Sequence, residues 1–293
     1  MKYFLVAAAL RGMSSNAVLR KAYRYIGNQR KTRPIVIAKS RWIWQHVSRN
    51  GLGTSDHTIM ELGTGWTHAN SLYTALLTDV GIEAFDVWDN RSLICAKKHI
   101  GLVAEAIRSD PDVSESGKAK ANAKATAALA AADFETLYQI LNISYSVDPS
   151  GVPQCAEQSL DMIYSVDVLE HVRREDFEAL VRVWHKLLKP GGLFVAHVGL
   201  DDHIALYDKS RSKKEYVYYS EFIWNHFLTN KVQYFNRLTA SEILSMCERN
   251  GFAVRDVELE RCSVDRSAVH ADYKWQSQED IEATLLRFWA KKQ

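Results

Sequence analysis

Ile59-Met60-Glu61-Leu62-Gly63-Thr64-Gly65-Trp66 is the stretch on which the fold turns. An apolar run breaks into two glycines immediately behind an acidic residue. Residues 58–62 read as a strand. The glycines let the backbone turn tightly and approach a ligand with no Cβ in the way. A second stretch, Asp161-Met162-Ile163-Tyr164-Ser165-Val166-Asp167-Val168-Leu169-Glu170-His171-Val172, is again an apolar run that ends in polar groups and then opens a helix. A third, Lys189-Pro190-Gly191-Gly192, turns the chain into the apolar run Leu193–Val198.

Working outward, strand two is expected at Ala84–Trp88, closed by Asp89-Asn90. Strands three to six are expected at Ile143–Val147, Met162–Val166, Leu193–Val198 and Ala253–Leu259. Thr284–Ala290 reads either as a last antiparallel strand or as the tail of a helix. Residues 1–31 read as one or two short helices with Val18, Tyr23 and Ile26 as apolar contacts. A helix over Ala38–Arg49 would turn Ile43, Trp44 and Val47 inward and stop at Asn50-Gly51. Another starts at Ala69 and buries Leu72, Leu76 and Leu77. Lys118–Leu141 is alanine-rich without Gly or Pro, which predicts one long helix, either packed on the sheet or serving as a lid. Helices are also expected over Arg174–Leu188 and from the capping box Thr239-Ala240-Ser241-Glu242 to Asn250-Gly251. The alternation predicts an α/β, doubly wound, mostly parallel sheet with helices on both faces. We divide the chain into a basic helical extension (1–55) and one domain (56–293). That domain carries a helical insert at about 97–141 and an aromatic-rich cap at about 204–236.

The formal net charge of +2 hides an asymmetry. Eleven of the 37 Lys and Arg fall in residues 1–55, and all 35 acids lie beyond them. Such a segment suits an anionic partner, a membrane surface or a phosphorylated acceptor among them, or a solvated face neutralised by the acidic body. Four dispersed cysteines form no C-x-x-C pair, so neither a zinc site nor a disulfide frame is expected. Phe4–Leu10 after Lys2 faintly resembles a signal-peptide core, but the run is short and Arg11 follows at once, so a cleaved leader is not the expected reading. The expected location is the cytoplasm, either free there or peripheral at the inner membrane face.

Taken in order, the three quoted segments resemble the class I S-adenosylmethionine (SAM) methyltransferases over about residues 56–260. The resemblance implies a seven-stranded Rossmann-like sheet, SAM as methyl donor and S-adenosylhomocysteine as product. It assigns Glu61, Gly63 and Gly65 to the donor's methionine portion, Asp89 to the ribose hydroxyls and Asp148 to the adenine side. Asp86 competes with Asp89 but falls within the expected strand. Asp167 opens the loop that lines the methyl-transfer site in many relatives, and Leu-Glu-His-Val is a frequent form of that loop. Trp66-Thr67 stands where relatives often carry a third glycine, and its absence also weighs against a nicotinamide site.

The polar ends of the strands are expected to converge on one cleft. His171 is a candidate general base or else a packing residue, and an Asp202-His203 pair is a second candidate, with Asp202 orienting the ring. No metal motif is present. The aromatics between Lys209 and Asn236 suit an acceptor cap or the core of a small helical subdomain. The reading is an O-methyltransferase acting on a small molecule or glycan, of surface-polysaccharide or secondary-metabolite type. Alternatives are N- or C-methylation, a SAM-binding regulatory protein without turnover and, more distantly, a nicotinamide oxidoreductase. No Asn/Asp-Pro-Pro-Tyr/Phe motif follows strand four, which argues against nucleic-acid substrates.

Overall fold

The computed structural model describes residues 2–14, 16, 18–19, 34–65 and 67–293. The contacts expected of Tyr23 and Ile26, and the position of Trp66, lie outside the described residues. Seven strands, β1 (Thr58–Leu62), β2 (Gly81–Asp86), β3 (Ile143–Val147), β4 (Leu160–Val166), β5 (Leu188–Gly199), β6 (Phe252–Arg261) and β7 (Ala283–Lys292), form one sheet. Their order is β3-β2-β1-β4-β5-β7-β6. β1 pairs in parallel with β2 and β4, and β2 with β3. β7 runs the other way: Thr284 accepts from the Leu200 N–H, whereas Lys292 reaches the Leu188 carbonyl. Against β6, Glu282 accepts from Cys262, whereas Trp289 reaches Asp256. The sheet is therefore mostly parallel, and the 284–290 run resolves as a strand.

β1 and β4 are buried almost throughout, as central parallel strands covered on both faces must be. Strand order reverses between them, the place where open α/β sheets bind ligands. β2 corrects the expectation. Its ladder with β1 pairs Thr58 with Gly81 and Leu62 with Phe85, so the strand starts earlier and ends at Asp86. β5 also starts earlier, at Leu188, so Lys189–Gly192 lies inside the strand and is not a turn before it.

The expected single helix over 118–141 is two, α5 (Glu115–Ala130) and α6 (Phe134–Leu141), after α4 (Leu93–Arg108). The break is chemical: Asp133 is extended and its carboxylate accepts the Thr136 N–H at 2.8 Å, capping a new helix. Elsewhere the stops and starts match. α2 (Pro34–Arg49) ends where Gly51 takes φ +69° and the Leu52 N–H returns to the Val47 carbonyl. α3 spans Ala69–Leu77 and α7 Arg174–Leu187. Thr239 and Glu242 exchange both capping-box bonds at the head of α8 (Ala240–Arg249). A short α9 (Gln278–Glu282) precedes β7.

The chain divides into two compact units. The first comprises 1–27, 167–181 and 196–289. Its core joins α1 (Lys2–Ser14) to the aromatic-rich segment: Tyr3, Ala7 and Leu10 pack with Tyr216, Trp224, Phe235 and Tyr273. Most of the cap's aromatics are thus core, while Phe222 and Phe227 stay exposed. Val18 is also exposed and makes no core contact of the expected kind. The second unit comprises 28–166, 182–195 and 290–293. There Ile43 and Val47 are fully buried, Trp44 is half-buried beside Tyr73, and Leu77 is half-buried. The basic segment 1–55 is accordingly not one module, since α1 belongs to one unit and α2 to the other. No helix among the described residues is long and apolar enough to cross a membrane.

Candidate active site

In the second unit, β1 delivers Glu61 to the interior and the Gly63–Gly65 turn to its carboxyl end. Gly63 and Gly65 take φ +76° and +66°, a region costly for any side-chain-bearing residue. The Gly63 and Thr64 N–H groups both donate to the Phe85 carbonyl, at 2.8 and 3.1 Å. The Gly65 N–H donates to Asp86 Oδ2 at 2.8 Å, and Asp86 Oδ1 accepts the Trp88 N–H at 3.2 Å. Asp86, buried at the end of β2, therefore holds the turn. Glu61 is fully enclosed and accepts the Ser71 hydroxyl, which also meets Tyr164 Oη at 2.9 Å. Burial pushes the Glu61 carboxyl up to about 7, against the opposing donation from Ser71 and Asn70.

Asp89 lies beyond the strand and is exposed. It holds Arg91 in a two-pronged pair, Nε to Oδ1 at 3.0 Å and Nη2 to Oδ2 at 2.8 Å, which draws its pKa below the usual range. Arg91 sits 4.4 Å over the Tyr145 ring. Behind it, His68 takes φ +52° and stacks on Phe134, Tyr138 and Tyr145, with Nε2 2.6 Å from Tyr138 Oη. Burial pushes that imidazole down to about 3, so it is neutral. Asp148 closes β3 in a local turn, accepting the Ser150 N–H at 2.8 Å.

In the first unit, Asp167 follows directly on β4 with φ +56°, an unusual backbone for a non-glycine residue and one that clusters at functional sites. Its N–H donates to the His197 carbonyl at 2.9 Å, and its Oδ1 lies 2.8 Å from His197 Nδ1. Glu170 is buried and accepts the Gly199 N–H at 3.3 Å. A Cβ on Gly199 would stand 2.9 Å from that same oxygen, so a side chain there would push the Glu170 carboxylate out of its present place. Asn236 clamps this turn. Its amide donates to the Leu169 and Val172 carbonyls at 2.8 and 2.9 Å, and its N–H to the Glu170 carbonyl at 2.8 Å.

His171 Nδ1 lies 2.6 Å from the Tyr234 carbonyl. A carbonyl only accepts, so Nδ1 carries the proton and Nε2 keeps its lone pair. Its crowded surroundings lower the pKa, leaving the ring neutral near pH 7. The His203 ring lies 5.1 Å from that of His171, and burial pushes it down to about 3. The expected Asp202–His203 pairing does not form. Asp202 Oδ2 accepts the Tyr3 hydroxyl at 2.6 Å, and Oδ1 accepts the Ile204 and Ala205 N–H groups at 2.8 and 3.3 Å. The carboxylate near His203 is Asp201, whose Oδ1 stands 3.9 Å from Nε2, beyond hydrogen-bond reach. Asp202 therefore fixes the backbone that follows His203, and burial raises its pKa to about 6.

Sequence reasoning missed Ser71, Asn236, Tyr3 and the Asp167–His197 contact, because each acts across many residues of chain. Asp86 is visible in the sequence, and only the misplaced end of β2 hides its position.

A methyltransferase-domain family model matches residues 52–257. The chain belongs to the class I SAM-dependent methyltransferases. Among solved structures, the chain resembles the Burkholderia thailandensis 1,6-didemethyltoxoflavin-N1-methyltransferase at 14% identity and TM-score 0.51, covering 95% of this chain and 88% of that one. A Galdieria sulphuraria protein described as a candidate sarcosine dimethylglycine methyltransferase aligns at 11% identity and TM-score 0.53, covering 93% and 97%. At such identities the likeness concerns the fold. No curated protein matches in sequence.

The methyltransferase's own residues fit the donor. Among the described residues beyond its chain neighbours, a Cβ placed on Gly65 would meet nothing within 4 Å, so the turn offers open backbone to a ligand. Asp86, through the Gly65 N–H, holds the turn in that form. SAM supplies an electrophilic methyl group on a sulfonium, and an acidic surround suits its cationic portion.

Proposed function

We propose that this methyltransferase transfers the methyl group of SAM to an oxygen of a small molecule or glycan. The observation that carries the oxygen reading is His171. Its Nδ1 proton is committed to the Tyr234 carbonyl, and the neutral ring keeps a basic Nε2 at the surface of its unit. An alcohol or phenol acceptor must lose a proton, and a neutral imidazole is suited to take it. His203 is the weaker candidate, because an imidazole held near 3 binds a proton poorly at neutral pH. We assign Glu61, Gly63, Gly65, Asp89, Asp148 and Asp167 to the donor side, with Asp86 as the anchor of the turn. Asp202 positions the backbone around His203.

In a cytoplasmic setting, where SAM is made, the enzyme is tested with methyl-labelled SAM against hydroxyl-bearing and amine-bearing acceptors. Product labelled at oxygen, with His171→Ala lowering turnover by about 10²–10⁴ while His203→Ala costs much less, is the expected outcome. Label found on nitrogen or carbon overturns the oxygen reading. Equal losses in both variants overturn the choice of base.

A further inference from the structure

α1 is apolar on both of its sides. Tyr3, Ala7 and Leu10 face the core of the first unit, with Val6 partly buried against it. At 100° per residue, Phe4, Leu5, Ala8, Ala9 and Gly12 share the opposite arc, and all five are exposed. Leu5 is 64% exposed and Phe4 41%. A helix at a water-facing surface ordinarily carries polar residues on that arc. Here the arc is bounded by two cations instead, Lys2 at one edge and Arg11 at the other, and both are exposed. Arg11 donates to the His226 carbonyl, which fixes its stem without neutralising its charge. Asp208, the carboxylate nearest in influence to Lys2, is already engaged by the Ser210 hydroxyl at 2.7 Å.

The two segments packed against α1 repeat the theme. The turn at 205–207 exposes Leu206, and the helical stretch 221–228 exposes Phe222 and Phe227. α1 itself carries Lys2 and Arg11 and no acid.

We propose that the outer face of α1 is a docking surface for an anionic lipid bilayer, on which the protein rests without crossing. Apolar residues between flanking cations, with no acid in the segment, match the chemistry of an interfacial helix whose apolar arc enters the acyl boundary while its cations meet the headgroups. Charge complementarity selects this occupant over a second copy of the chain, because two such segments would bring like charges together.

The test is co-sedimentation of the full chain with vesicles of phosphatidylcholine alone and of phosphatidylcholine with phosphatidylglycerol, across a salt series. Binding to the anionic vesicles only, falling as salt shortens the screening length from about 10 Å at 0.1 M to about 3 Å at 1 M, is the expected result. Leu5→Asp should abolish it. Lys2→Gln, which removes only a charge, should weaken it about fivefold. Both variants should keep their circular dichroism and their affinity for S-adenosylhomocysteine, since neither residue belongs to the donor site. Absent binding to either vesicle, or binding that ignores lipid charge and salt, overturns the proposal. So does a wild-type protein that ignores vesicles but self-associates in a way Leu5→Asp removes.

Discussion

Glu61 has its carboxylate enclosed behind the glycine turn, where a charge is costly. Its ordinary value of 4.5 is raised to about 7 in the folded chain. Between those values the folded state holds a proton that the unfolded chain has released, so this residue's contribution to stability falls as pH rises through that window. The full span is worth about 3 kcal/mol. Glu61→Gln cannot ionise. Its stability relative to the wild type should therefore improve from pH 4.5 to pH 7.5, read by urea unfolding at each pH. A difference that stays constant with pH would show that Glu61 does not titrate there. The two acids after β1's turn separate by the same reasoning. Asp86 is occupied by the Gly65 and Trp88 N–H groups, whereas the exposed Asp89 retains lone pairs beyond those Arg91 uses. Asp89→Ala should weaken S-adenosylhomocysteine at least about tenfold with little loss of stability. Asp86→Ala should lower stability and affinity together. Unchanged affinity in Asp89→Ala with a loss only in Asp86→Asn would move the ribose contact to Asp86.

At the scale of elements, the turn after β4 depends on a residue far away in sequence. Asn236→Ala removes both donors to the Leu169 and Val172 carbonyls inside a buried turn. Two acceptors left unpaired should cost about 2–4 kcal/mol in urea unfolding. A loss under about 1 kcal/mol would mean that the turn holds itself. Local chemistry made much of the fold legible beforehand. The capping box at Thr239, the stop at Asn50-Gly51 and the bounds of β1 and β3 all follow from short-range patterns, and the structure has them there. The misses came where a partner decides. Alanine content cannot show that Asp133 will cap a second helix, since propensity is indifferent to such a break. β2's limits come from its ladder with β1, which no residue of β2 alone encodes. Adjacency in sequence suggested Asp202 as partner to His203, but the carboxylate found the hydroxyl of Tyr3, 199 residues away.

For the whole molecule, the family match over residues 52–257 carries the methyltransferase assignment, and one sheet with its order reversing between β1 and β4 and a β7 antiparallel to its neighbours agrees with it. Chemistry on that fold varies, so the acceptor has to be read from sites and not from the architecture. What the account requires first is that the chain binds its donor at the glycine turn. Calorimetric titration of S-adenosylhomocysteine into the wild-type protein and into Gly65→Val tests this most directly. Gly65 stands at φ +66° with open space where a side chain would project, so a valine there strains the turn and fills the ligand's approach. Saturable binding of one equivalent to the wild type, and none to Gly65→Val, is the expected result. Absence of binding to the wild type, or equal affinity in the variant, would contradict it.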